Sequence, residues 1–266
     1  MLDTILDSPL SPWLQHDTDA TDHIVISSRI RLARNFDGIL FTNRNDTSSL
    51  EKVNTISRGL LQPLKEVDGH QYSNINLEQL SERERAILVE KHLMSPALEE
   101  KLPYRNLVVS DDASIVIMVN EEDHLRIQSM VSGLRLQEAY EHAKKIDKAI
   151  EAKYPYAFDE RFGYLTACPT NVGTGLRASV MLHLPALTIS GRITRLIRSI
   201  IQLGYSVRGL YGEGSEALGN IYQISNQRTM GVSEEDTIEQ LTKIVEGIIA
   251  EERKSRQSLL HNDKEG

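Results

Sequence analysis

One cysteine, one tryptophan and four phenylalanines are all that 266 residues contain of three residue types that often anchor or staple small folds. With Cys168 alone, an internal disulfide is impossible, and the count fits a reducing compartment. No run of about 18 apolar residues occurs, which excludes a membrane-spanning helix. The first ten residues carry Asp3 and Asp7 and no basic run, so they do not read as a secretory signal, and the cytoplasm is the expected location. There is no internal repeat, low-complexity segment or Pro/Gly/Ser-rich linker. A net charge of −8 argues against nonspecific nucleic-acid binding. Also missing are a GxxxxGK[ST] phosphate loop, a GxGxxG turn after a strand, HExxH, paired CxxC and a GxSxG elbow. Any nucleotide chemistry must therefore grip phosphate by other means.

What remains is an ordinary globular composition, with 40% hydrophobic and 26% charged residues. A chain of this length buries roughly 70–75% of its unfolded surface, so it needs no staple. Arginine supplies 19 of the 30 basic side chains, and many of these sit in apolar or glycine-rich surroundings. Guanidinium forks suit bidentate phosphate or carboxylate contacts, so an acidic protein with embedded arginines suggests a small polyanion site.

The hydrophobic period places strands at residues 23–31, 106–110, 114–120, 124–130, 176–184, 205–210 and 218–224. It places helices at 50–64, 77–93, 136–153, 186–203 and 233–260. Asp111-Asp112 marks a hairpin. Ile238, Leu241, Ile244, Val245, Ile248 and Ile249 form the apolar stripe of the last helix, with Ser233 and Asp236 at its start. The expected fold class is α+β: a mostly antiparallel sheet of about eight strands flanked by helices. Residues 1–21 read as a loose lead-in, 22–258 as one domain and 259–266 as a polar tail.

Five segments carry candidate chemistry. In Ser27-Ser28-Arg29-Ile30-Arg31, strand alternation puts both arginines on one face, where they could cradle a phosphate chain or simply blunt a strand edge. Asn120-Glu121-Glu122-Asp123-His124-Leu125-Arg126 places three carboxylates after an apolar strand. Such a run can hold Mg²⁺ through water and accept protons, or can be a solvated acidic turn. Adjacent like charges raise one another's pKa, which favours a base among them.

The loop from Cys168 to Arg177 (CPTNVGTGLR) has two glycines that allow close backbone approach to a ligand. Its cysteine reads either as a small buried hydrophobe or as a thiol of lowered pKa. Arg208-Gly209 leads into a glycine-rich stretch around Glu213, either a mobile flap carrying an acid or a long hairpin turn. Last, Ile224-Ser225-Asn226-Gln227-Arg228 sets another arginine after a strand, or caps the final helix.

Together and in this order, SSRIR, NEEDHLR, CPTNVGTGLRA, the RGxxGE flap and ISNxxR resemble the signatures of the ATP:guanidino phosphotransferases, the phosphagen kinase family. The resemblance spans roughly residues 22–258 and is strongest to the bacterial protein-arginine kinase branch. Only about 20 residues precede the strand that carries SSRIR, too few for the helical N-terminal domain that closes over free guanidines in other branches, so an open acceptor pocket is expected.

The resemblance implies a glutamine-synthetase-like sheet and an ATP, Mg²⁺-dependent transfer to arginine side chains in proteins. It implies that Arg29, Arg31, Arg126, Arg177 and Arg208 bind the nucleotide phosphates, with Arg228 nearby and His92 beside the adenine. It makes Glu122 the residue that orients and deprotonates the guanidinium, Glu121 a support of the magnesium shell, Glu213 the second guanidinium-binding acid and Cys168 a contact to the guanidinium. The implied setting is bacterial protein quality control and stress response. The implied partners are protein substrates bearing exposed arginine, such as a heat-shock repressor, with a zinc-finger activator and a Clp-type protease ATPase. The family's C-terminal dimerisation and phosphoarginine-sensing domain is not expected within these 266 residues. Two other readings are a kinase for free arginine or another small guanidine, and a catalytically silent nucleotide- or phosphoarginine-binding adaptor.

Overall fold

Alternation of side chains along β1, residues Val25–Arg34, decides the architecture. Ile30 and Leu32 are buried on one face, while Arg29 and Arg31 stand half-buried on the other. In the computed structural model β1 lies near the middle of an eight-stranded antiparallel sheet. The structure describes residues 2–8, 11, 14, 23–100, 102–209 and 218–262. The other sheet strands are β2 (Tyr72–Asn76), β3 (Asn106–Ser110), β4 (Ile115–Val119), β5 (Leu125–Ser132), β8 (Leu176–His183), β9 (Tyr205–Gly209) and β10 (Ile221–Asn226). Their order is β2-β3-β4-β5-β1-β8-β10-β9. A separate two-stranded ribbon joins β6 (Phe158–Asp159) to β7 (Gly163–Tyr164).

One face of the sheet is covered along its length. Helices α2 (Thr47–Arg58), α3 (Leu61–Asp68), α5 (Leu136–Glu151), α6 (Pro185–Ile189), α7 (Ile193–Gln202) and α8 (Glu234–Asn262) contribute to the main core with Ile30, Leu32, Ile127, Val180 and Ile224. Ile238, Leu241, Val245 and Ile248 of α8 are buried there, each worth about 1.5–3 kcal/mol against exposure. The hydroxyl of Ser233 accepts from the Asp236 N–H at 3.0 Å, which starts that helix where its sequence indicated. Glu252 reaches back from α8 and accepts the N–H groups of Ala186 and Leu187, each at 3.0 Å, capping α6.

The opposite face is covered only over β2–β5. There α1 (Leu2–Asp7) and α4 (Glu82–Glu90) close a second core containing Leu88, Leu93, Leu107, Val116, Met118 and Met130. A Ser81–Glu84 capping box opens α4. Over β1, β8, β10 and β9 the same face carries arginine, serine and glutamine. The border between covered and polar halves forms the cleft described below.

Several local expectations need correction. The single helix expected over 50–64 is two helices broken at Gly59-Leu60, and that over 186–203 is broken at Gly191, whose φ of +70° ends α6. Residues 77–79 form a 3-10 turn before α4 rather than its first turn. The edge strand β2 was not anticipated, because its sequence Tyr-Ser-Asn-Ile-Asn has too few apolar residues to alternate clearly. Residues 2–7 are helical, not a loose lead-in, and Ile5 is buried in the second core.

Candidate active site

Antiparallel register gathers side chains that are far apart in sequence. Arg31 sits opposite Gln128 on β5 and opposite Arg177 on β8, and Arg29 sits opposite Ser179. Arg126 follows on the same face of β5, two residues from Gln128. On the outer pair, Arg208 of β9 is opposite Gln223 of β10. The in-phase positions of five strands thus present one polar floor.

Hydrogen bonds aim the guanidinium groups. Arg29 donates to Gln223 Oε1 at 2.9 Å and to Ser179 Oγ at 3.3 Å. Arg177 donates to Ser206 Oγ at 2.9 Å and Ser225 Oγ at 3.0 Å. These acceptors are neutral, so they orient the forks without cancelling their charge. Among the described residues, neither Arg29 nor Arg31 has a carboxylate partner within salt-bridge distance, and the buried Nε of Arg31 has no hydrogen-bond partner. Burial, then repulsion from Arg177, Arg126 and Arg208, lowers the Arg29 pKa to about 10. Burial, then the neighbouring arginines, also hold the Arg31 pKa well below its ordinary value. A cluster of desolvated cations is unfavourable by itself and demands an anion.

A cleft of about 600 Å³ opens beside these arginines. Arg29, Arg31, Arg208 and Gln223 form its floor, and His92, Met94, Ser95 and Pro96 form the wall that follows α4. His92 has a left-handed backbone (φ 58°), and its carbonyl accepts from Gln128 Nε2 at 2.8 Å. Burial and the nearby Arg29 depress its pKa, so its ring is neutral.

The acidic run turns sharply after β4. Asn120 adopts φ 56°, and its amide donates to Leu50 O at 2.9 Å and Tyr104 O at 2.8 Å. Glu121 is turned inward: Ser95 Oγ donates to it at 2.8 Å, and Arg126 Nη2 lies 2.7 Å from its Oε2 as an ionic contact without hydrogen-bond alignment. Glu122 is 42% exposed at the side chain, with Arg126 Nη2 at 3.2 Å and Asn171 Nδ2 at 3.4 Å from Oε2. Arg126 therefore joins the phosphate-type floor to the exposed acid.

Asp123 is buried and structural. Its Oδ1 accepts from Asn35 Nδ2 at 2.7 Å and from the Ala167 N–H at 2.6 Å, which fixes the Cys168 loop beside the acids. Burial raises its pKa. His124 is buried too; its Nδ1 accepts from the Phe36 N–H at 3.0 Å and its Nε2 lies 2.9 Å from Leu40 O. Cys168 is half-buried, with Sγ 3.0 Å from Thr170 Oγ1.

The described structure thus brings Arg29, Arg31, Arg126, Arg177, Arg208, His92, Glu121, Glu122 and Cys168 to one side of the sheet. Of the expected nucleotide contacts, Arg29, Arg31, His92 and Arg208 line the cleft, while Arg126, Arg177 and Arg228 do not. Arg228 is exposed, next to Thr229, whose hydroxyl donates to Thr170 O at 3.0 Å and Val172 O at 2.8 Å in the Cys168 loop. Glu213 and its flap lie outside the described residues.

Reading the sequence alone missed the tether behind this loop. Arg34 forks onto Asp147 of α5, with Nε 3.0 Å from Oδ1 and Nη2 2.8 Å from Oδ2, and its Nη1 donates to Thr174 O at 2.9 Å. Tyr164 lies over its guanidinium, 3.6 Å from ring centroid to Cζ. The signal was phase: Arg34 falls in step with Ile30 and Leu32, so alternation sends it to the core.

The family model described as "ATP:guanido phosphotransferase, C-terminal catalytic domain" matches residues 52–255. A protein-arginine kinase of Bacillus cereus (strain AH187) is 47% identical over 262 residues, which cover 98% of this chain and 73% of that protein. The chain belongs to the ATP:guanido phosphotransferase family. A protein-arginine kinase of Bacillus anthracis (strain CDC 684 / NRRL 3495) is likewise 47% identical over 264 residues, 98% of this chain and 73% of that protein. Among solved structures, a lombricine kinase superposes with a TM-score of 0.76 at 25% identity, covering 95% of this chain and 71% of that one. The duplicated taurocyamine kinase of Schistosoma mansoni, solved with bound transition-state-analogue components, gives 0.77 at 28% identity over 95% of this chain and 36% of its own. The eight-stranded sheet with its flanking helices is therefore the fold of a phosphagen-kinase catalytic domain. No helix among the described residues is long and apolar enough to cross a membrane.

Proposed function

We propose that this chain is an ATP-dependent protein-arginine kinase, moving the γ-phosphoryl group of ATP onto guanidinium groups of arginine side chains in proteins. One observation carries the reading: a cleft floored by Arg29 and Arg31, neither of which has a carboxylate within salt-bridge distance among the described residues, lies on the same sheet face as Arg126, which meets an exposed carboxylate able to receive a cation. The cleft fits a polyphosphate and the acid fits a guanidinium. The 47% identity to protein-arginine kinases supports arginine in proteins as the acceptor.

In this mechanism Arg29, Arg31, Arg126, Arg177 and Arg208 bind the phosphates, and His92 offers a neutral ring to the base. The acceptor guanidinium is protonated at neutral pH and a poor nucleophile. Glu122 aligns one terminal nitrogen and takes its proton as the N–P bond forms and the bond from Pγ to the bridging oxygen breaks, leaving ADP. The arginines offset the charge that gathers on the transferred group and the leaving oxygen. Cys168 and Glu213 are assigned to the remaining guanidinium contacts, and Arg228 to the outer edge of the nucleotide site.

Mg²⁺ fits the donor set: the inward-turned Glu121 has an oxygen without an aligned hydrogen bond and stands beside the phosphate floor. Glu121 would hold the ion through water, and the ion would supply further charge neutralisation on the phosphates. A protein bearing an exposed arginine is the acceptor. A heat-shock repressor substrate, a zinc-finger activator, a Clp-type ATPase and a cytoplasmic setting are carried by the sequence resemblance alone.

The test is incubation with Mg-ATP and an unfolded, arginine-containing protein, then mass spectrometry under non-acidic conditions. Phosphate on arginine is expected. Phosphate found only on Ser, Thr or Tyr, or none transferred at all, refutes the reading.

A further inference from the structure

A second pocket, of about 460 Å³, lies beside the acids and shares no lining residue with the arginine cleft. Glu121 and Glu122 form part of its wall, and Glu121 also bonds Ser95 of the cleft wall, so one glutamate separates the two spaces. The pocket is far larger than a guanidinium and falls in the range of specific binding sites. Its apolar wall is Leu50, Leu102 and Pro103, and Leu102 is 37% exposed. Asn43 and Asn45 also line it; both are exposed, and their side-chain amides have no protein hydrogen-bond partner among the described residues. Thr42, next to them, donates its hydroxyl to the Glu122 carbonyl, so this wall is fixed to the acid it neighbours.

An arginine held at Glu122 cannot end there. With bonds near 1.5 Å, its α-carbon stands about 6–7 Å from its terminal nitrogens, and the next α-carbon is about 3.8 Å further on. Residues adjacent to the target arginine therefore fall within the dimensions of this pocket. Free amides suit the N–H and C=O groups of an extended chain, and the Leu50–Leu102–Pro103 wall suits an apolar side chain.

We propose that this pocket is a subsite for the polypeptide flanking the target arginine. It seats an apolar neighbour against Leu50, Leu102 and Pro103, while Asn43 and Asn45 take up main-chain groups. The proposal rests on the protein-arginine reading above. It makes the enzyme selective for local sequence as well as for an exposed guanidinium.

The experiment uses peptides with one arginine, flanked on either side by leucine or by glycine, and compares their kcat/KM on the same enzyme preparation. The wild-type chain should favour a leucine-flanked peptide about tenfold, mostly through KM. Leu102→Glu and Leu102→Ala should bring that ratio close to one. Leu102 is partly exposed, and a ratio between two substrates is insensitive to a misfolded fraction. No leucine preference in the wild type, or a preference unchanged in both variants while arginine is still phosphorylated, overturns the subsite alone. If no peptide gains phosphate on arginine, the kinase reading falls and the subsite with it.

Discussion

The Arg34–Asp147 pair offers a sharp test of how the fold supports the site. Both side chains are nearly inaccessible, at 2% and 8% exposure, and the fork is bidentate. Burial works to lower the Arg34 pKa, but Asp147 outweighs it and the net shift is upward, so Arg34 is charged in the core. Replacing Asp147 with Asn removes the counter-charge and leaves a buried cation, which costs about 3–5 kcal/mol. That is a large share of the 5–15 kcal/mol typical of domain stability, and it corresponds to a fall of roughly 6–20 °C in Tm. The double replacement Arg34→Met with Asp147→Leu removes both charges and should recover most of the loss, since apolar substitutes for a buried pair are often neutral or stabilising.

Activity should not recover with stability. Arg34 also donates to Thr174 O, and the apolar variant frees that carbonyl and with it the loop from Cys168 to Arg177. Urea unfolding followed by circular dichroism gives the stabilities, and kcat/KM for arginine transfer gives the function. The exposed Lys144–Glu235 pair at 3.0 Å is the contrast, because an exposed bridge is worth at most about 1 kcal/mol. A cost below 1 kcal/mol for Asp147→Asn, or a stable double variant with full activity, would refute this account.

Three further outcomes are expected. Glu122→Gln should lower kcat about 10²–10⁴-fold while ATP affinity, measured by titration calorimetry, changes little; undiminished turnover removes Glu122 as the base. Arg31→Met should raise stability by about 1 kcal/mol, because Arg31 Nε is buried without a partner, while ATP affinity drops more than tenfold; unaltered affinity places Arg31 outside the phosphate site. His124 has its pKa lowered by burial, so below its ordinary value near 6.5 the unfolded chain binds more protons than the folded one. Stability should therefore decline as pH falls from about 7 through 6.5 and below. His124→Asn keeps an acceptor for the Phe36 N–H and should flatten that decline; an identical pH slope in the variant assigns it to other groups.

How much of this could be read from the sequence depends on phase. β1 shows both the success and its limit within ten residues. Arg29 and Arg31 alternate with buried Ile30 and Leu32, so their face was legible, and antiparallel neighbours then supplied Gln128, Arg177 and Ser179. Ser179, Ser206 and Gln223 drew no notice because single polar residues in strands are common, and Ser225 stood out only as part of the ISNxxR segment. Only register shows that they share the arginines' face and act as neutral aiming partners. The partners of Arg34 and Asp123 are about 113 and 44 residues away, at Asp147 and Ala167, and no local pattern encodes such a pairing.

The same reasoning explains why the site sits where it does. Strands β2–β5 carry Val116, Met118 and Met130 on the face that β1, β8, β10 and β9 fill with polar groups. Apolar side chains recruit α1 and α4 as a cover, and the polar half cannot repay the desolvation such a cover would impose. A layer that stops where apolar residues give way to arginine leaves a step in the surface. The step's upright is the wall bearing His92, Ser95 and Pro96, and its tread is the arginine floor. Extending the cover would require neutral, apolar side chains at Arg29, Arg31 and Arg208, which would abolish the anion site. The cleft is therefore a consequence of where the hydrophobic pattern ends.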